Sequence, residues 1–270
     1  MASLRLRYLF CVMSMLILSA NGWPSEQGLS SADRLTKEED AAIQRQMKAF
    51  TRSELLDVIK TPGSGRLARS RAQYAFTELL SDWCTIGELE ILVDIAKTRY
   101  DRSIIQRLAM TIYDETATDE EKRRVDRFVD LMEEDIRKGV EATLGPLAVE
   151  GLGRTINRSY NDESSARKQG KRPAIPYANA RVTDILIDCL DHRSPWVRRR
   201  AIYWLGSTGG NDPARAQDVI ALLDQQRVKE QNAQDYEERH DRQEVLRTVS
   251  SAVTTIRRTM DQDKRAVKSP

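Results

Sequence analysis

An all-α chain, built as an α-solenoid of about five antiparallel helix pairs behind an N-terminal capping helix, is what this sequence predicts. Three observations carry that expectation. Apolar residues recur with helical spacing along most of the chain, and no segment sustains the period-2 alternation of a strand. Helix-start signals recur at intervals, with capping boxes at Thr36–Glu39, Thr85–Glu88 and Thr118–Glu121. Finally, the chain is similar to itself. Residues 67–76, LARSRAQYAF, align without a gap with residues 196–205, WVRRRAIYWL, at an offset of 129. Both carry R-x-R-A-x-Y, as Arg69, Arg71, Ala72 and Tyr74 and as Arg198, Arg200, Ala201 and Tyr203.

Weaker copies lie between and after these two. IQRLAMTIY (105–113) and LGPLAVEGLG (144–153) place Ala109 and Ala148 on the shared alanine, the latter with Leu152 and Gly153 matching Leu205 and Gly206. VLRTVSSAV (245–253) places Val249 there. Recurrence at roughly 40 residues is the mark of a helix-pair array. Each copy follows another helical segment: 53–60, 85–99, 118–139, 180–190 and 212–227, with Gly139 as the expected stop of the third. A helix from Thr36 to Phe50 is expected to cap the array.

The clearest copy starts with Ser194 as N-cap and Pro195 at the first helical position, where a missing N–H costs nothing. Val197, Ala201, Trp204 and Leu205 then form a core-facing stripe, and Gly206 is expected to end the helix. ILIDCLDHRSPWVRRRAIYWLG resembles a HEAT repeat of the PBS-lyase-type HEAT-like group, whose pattern is matched by Asp191, Pro195, Val197, Arg198, Ala201, Leu205 and Gly206. The resemblance is good for residues 53–80 and degenerate elsewhere between about 50 and 260. It implies an α-solenoid that binds other macromolecules over a long face.

Residues 1–22 read as a signal peptide, with Arg5 and Arg7 before an apolar run from Tyr8 to Ala20. Residues 23–35 read as a flexible tether, 36–260 as the array, 159–178 as a polar insertion that is either a flexible connection or a binding loop, and 261–270 as a disordered tail. The protein is therefore expected to be exported, periplasmic or secreted, with envelope association. An anchor through uncleaved residues 8–20 is the alternative, and no other membrane span is expected. Removal of two arginines leaves a neutral mature chain, since the 43 basic residues exceed the 41 acidic ones by two. A nucleic-acid partner is not expected of a neutral chain. Cys84 and Cys189 are expected to be reduced core residues. Asn157-Arg158-Ser159 is a glycosylation triplet in a eukaryotic secretory pathway.

Catalytic and metal-binding patterns are missing, and no cofactor is expected. The two histidines, His192 and His240, have no ligand spacing around them and read as solvated, as does the cluster Glu133, Glu134 and Asp135. Arg198 and Arg69 are expected to be structural, bonded to turn carbonyls or carboxylates of a neighbouring repeat, with Asp191 a candidate. Arg71, Tyr74, Trp196, Arg199, Arg200 and Tyr203 form the candidate binding set, because Arg, Tyr and Trp concentrate interface energy. The aromatics have a second reading, as packing against adjacent repeats. The function expected is a non-enzymatic scaffold for a protein partner. The alternatives are a binder of anionic cell-envelope polymers and a HEAT-like lyase-type enzyme.

Overall fold

The computed structural model describes residues 35–81, 84–99, 101–109, 118–138, 144–157, 166, 168–171, 173–232 and 239–268. The signal-peptide and tether readings before residue 35, and the Gly139 stop, lie outside them. All regular structure among the described residues is helical, in eleven α-helices and a 3-10 turn. The chain divides into two compact units, Met1–Ile95 and Ala96–Pro270.

In the first unit, α1 (Lys37–Ala49), α2 (Arg52–Lys60) and α3 (Arg66–Ser81) precede α4 (Ile86–Arg99), within which the division falls. The Thr36–Glu39 and Thr85–Glu88 boxes form as expected. A further box, Thr51–Glu54, starts α2 by the same chemistry. α1 buries only Ile43 and Met47, one turn apart, while α2 buries Leu55, Leu56 and Ile59. α3 packs on both and buries Ala75, Phe76 and Leu79. Arg52 joins three helices: it grips both Glu88 oxygens at 2.8 and 2.7 Å and donates to the Leu79 carbonyl at 3.0 Å.

The second unit holds α5 (Arg102–Ala109), α6 (Asp119–Lys138), α7 (Leu144–Thr155), α8 (Asn179–Asp188), α9 (Pro195–Thr208), α10 (Pro213–Asn232) and α11 (Arg239–Lys268). A 3-10 turn, Cys189–Asp191, links α8 towards α9. The Thr118–Glu121 box opens α6. Helices α6, α8 and α10 pair with α7, α9 and α11 in turn, and α5, α7, α9 and α11 each pack against the next. On the other row, Arg181 of α8 bonds Glu133 of α6 at 3.1 Å, and Arg215 of α10 donates to the Ala180 carbonyl of α8 at 3.2 Å.

Three expectations change here. Gly206 does not stop α9, which runs on to Thr208 and ends at Gly209. A Cβ on Gly206 would lie 2.5 Å from the Ala252 Cβ and 2.6 Å from its Cα, so this glycine lets α9 and α11 approach closely. The chain after Met260 is not a disordered tail as far as Lys268, because α11 continues and Asp263 is buried. The end of the insertion is packed: Pro173, Pro176 and Ala178 are buried, and the Tyr177 hydroxyl donates to Asp126 at 3.0 Å. Cys84 and Cys189 are buried free thiols, as expected, and burial pushes the Cys189 thiol up to about 12.

Candidate functional site

The site is built on α9. Ser194 supplies the extended backbone of an N-cap but its hydroxyl does not cap; Pro195 opens the helix. The Ser194 N–H instead donates to His192 Nδ1 at 3.0 Å. His192 is thus a turn-forming residue and not a merely solvated one. Its pKa is lowered by burial, aided by the charges of Arg193 and Arg198 and opposed by the Ile136 and Ser194 backbone bonds. A neutral ring with its proton on Nε2 fits the Nδ1 acceptor.

The four stripe residues lie where their spacing requires, with Val197, Ala201, Trp204 and Leu205 no more than 2 % exposed. Arg198 is structural and bonds turn carbonyls, but its carboxylate partner is Glu230 and not Asp191. Its Nε donates to Glu230 Oε1 at 2.8 Å, and its Nη1 to the His192 and Arg193 carbonyls at 3.0 and 3.1 Å. Glu230 is buried and accepts a second bond from Gln226 at 2.8 Å. Asp191 pairs with Lys229 instead. Arg69 departs from expectation altogether, being exposed with no side-chain partner among the described residues.

The candidate binding set separates into used and open members. Tyr74 is used: its hydroxyl donates to Asp40 at 2.7 Å and accepts from Gln44 at 2.9 Å, tying α3 to α1. Arg71 is exposed in the first unit. Trp196 and Tyr203, in contrast, are 52 % and 49 % exposed. The guanidinium carbon of Arg199 lies 6.0 Å from the Trp196 ring centre, and that of Arg200 lies 6.0 Å from the Tyr203 ring centre. Arg199 is also paired with Glu244 at 3.1 Å.

Arg200 leads to a residue that the sequence reading overlooks. Its Nη1 lies 3.4 Å from Oε2 of Glu150, a carboxylate only 2 % exposed in the middle of α7. The same oxygen accepts from the Trp204 indole at 3.2 Å. The other oxygen accepts from Arg102 of α5 at 3.0 Å, Gln106 at 3.2 Å and Arg154 at 3.2 Å. Burial pushes the Glu150 pKa up, but the Arg102 hydrogen bond and the charges of Arg102, Arg200 and Arg154 together hold it below the ordinary carboxylate value. Glu150 is therefore an anion surrounded by three cations. Because Arg200 meets a buried charge, its removal tests stability as well as binding. The signal was a lone acid within the apolar run LGPLAVEGLG.

Gly153 completes the arrangement. A Cβ there would stand 2.0 Å from the Trp204 ring, so glycine lets the indole lie across α7 and reach Glu150. Arg154 covers the same ring, its guanidinium carbon 5.3 Å from the centre.

Glu133 and Glu134 pair with Arg181 and Lys138, and Asp135 with Lys97. No group of three metal-ligating side chains occurs among the described residues. Those residues also include no helix long and apolar enough to cross a membrane. Comparison of the chain with models of known families, with curated proteins and with solved structures gives no match.

Proposed function

We propose that this chain is an exported, non-enzymatic scaffold of HEAT-like helix pairs that binds a protein partner through the outer face of α9. The observation that carries this reading is the pair of half-exposed aromatics, Trp196 and Tyr203, each accompanied by a guanidinium, on a helix whose other face is buried. Large rings left in water beside arginines are the composition of interface energy centres. The repeat reading draws support from the second unit, where helices pair in chain order and every second one packs on the next. Export rests on the character of residues 1–22.

The test is capture from the native envelope or secretome with wild-type protein and with the double variant Trp196→Ala, Tyr203→Ala. The variant is expected to keep its helicity and melting temperature and to lose the captured partner. Unchanged capture would overturn the assignment to α9.

A further inference from the structure

We propose that Arg102, Arg154 and Arg200, held around Glu150, form a receptor for the side-chain carboxylates of a short acidic peptide segment. The proposal rests on the reading of α9 as a partner-binding face and names the chemistry which that face accepts. Three observations lead to it.

The first is charge. Among the described residues three guanidiniums face one carboxylate, so the cluster they form carries a positive charge that Glu150 alone does not match. The second is accessibility. Glu150 is 2 % exposed, whereas the side chains of Arg102, Arg200 and Arg154 are 46 %, 35 % and 25 % exposed. The carboxylate holds each arginine from the inside through a single nitrogen, while each guanidinium has five N–H donors in a fixed fork. Partly exposed guanidiniums oriented from behind have the geometry that receives carboxylates in bidentate fashion.

The third observation concerns extent. On α9 itself, Arg198 is matched by Glu230, and Arg199 shares Glu244 with Arg247 of α11. Among the described residues the largest excess, three guanidiniums on one carboxylate, is the compact cluster contributed by α5, α7 and α9. A polyanion gains affinity from many cations along its length. A compact cluster beside the half-exposed Tyr203 ring suits a few carboxylates with an apolar neighbour.

Fluorescence anisotropy of a fluorescein-labelled oligoglutamate-tyrosine peptide, titrated with the full chain, tests this. Inorganic polyphosphate serves as the competing anion. Arg102→Gln and Arg154→Gln are each expected to weaken peptide binding on the order of tenfold, the loss of a hydrogen bond to a charged group. The exposed Arg123→Gln is expected to leave it unchanged. In the wild-type chain, where no variant can confuse folding with binding, the Trp204 indole N–H resonance should move as peptide is added, because that proton bonds Glu150.

Equal binding by both cluster variants would overturn the proposal, as would an unmoved Trp204 resonance at saturating peptide. Binding of polyphosphate but not peptide would also overturn it and assign the cluster to phosphate polymers. Its failure is separable from that of the scaffold reading. Loss of capture in the Trp196/Tyr203 variant without any peptide binding leaves the scaffold standing, and the reverse result leaves the receptor standing.

Discussion

The segments Arg69–Tyr74 of α3 and Arg198–Tyr203 of α9 have the same residues at four of six positions and put them to different uses. In α9 the shared alanine, Ala201, is fully buried; in α3 its counterpart, Ala72, is only half-buried. Arg198 reaches a buried Glu230 and Arg200 reaches a buried Glu150, while Arg69 and Arg71 are exposed. The tyrosines reverse the pattern, since Tyr74 is tied to Asp40 and Tyr203 is half open. Burial becomes alike only further along, at Ala75 and Phe76 against Trp204 and Leu205. A repeat motif thus specifies a helix and the direction of its core. The role of each polar residue is set by what the neighbouring helices bring, and α9 has α7, α8 and α11 around it where α3 has α1 and α2.

The largest expected effect separates the two leading arginines. Arg198→Ala leaves Glu230 buried with one remaining donor among the described residues, Gln226, and should cost about 3 kcal/mol, the lower end for breaking a buried ion pair. Arg69→Ala, at an exposed position, should stay within about 0.5 kcal/mol. Urea denaturation of both variants checks this. Equal costs would mean that the motif acts in the same way in both helices.

The glycine at the end of the motif gives the next contrast. Gly206→Ala must push α11 away from α9, because the new methyl would overlap both Cα and Cβ of Ala252. Overpacking of about 3 kcal/mol, offset by about 1 kcal/mol of helix propensity, leaves a net loss near 2 kcal/mol. The aligned position in α3 is Thr77, half-buried, where Thr77→Ala should change stability by less than about 1 kcal/mol. A Gly206→Ala variant that melts like the wild type would remove the close approach from the account of α9.

What could be read from the sequence follows from this division between local and distant causes. Helix positions and capping boxes depend on residues three or four apart, so α1, α4 and α6 begin where their Thr–x–x–Glu boxes predict. The core stripe of α9 was legible for the same reason. Glu150 was not, because its partners Arg102, Gln106 and Trp204 are 48, 44 and 54 residues away and only packing brings them together. Gly206 misled because a glycine that ends a helix and one that admits a neighbouring helix look alike in one dimension. The end of α11 was hidden by Asp263, an acid on the buried stripe that continues from Val249, Val253, Ile256 and Met260.

The smallest expected effect concerns the two tyrosine hydroxyls. Tyr74→Phe removes a donor to Asp40 and an acceptor for Gln44, and should cost about 1 kcal/mol. Tyr203→Phe removes a hydroxyl with no partner among the described residues and keeps the ring beneath Arg200, so its stability should stay within about 0.5 kcal/mol. The pH profile sharpens the difference. Burial, then the hydrogen bond to Asp40, raises the Tyr74 pKa above its ordinary value of 10.0. The folded state therefore holds the phenolic proton more tightly than the unfolded chain does. That contribution is fully present below the unfolded pKa and is lost as pH rises through the folded one. Wild-type protein should accordingly lose stability above pH about 10, and Tyr74→Phe should fall less steeply. An alkaline limb that Tyr74→Phe left unchanged would mean that Asp40 does not hold the Tyr74 hydroxyl and that this tyrosine stands open. The binding face would then have to be sought on α3.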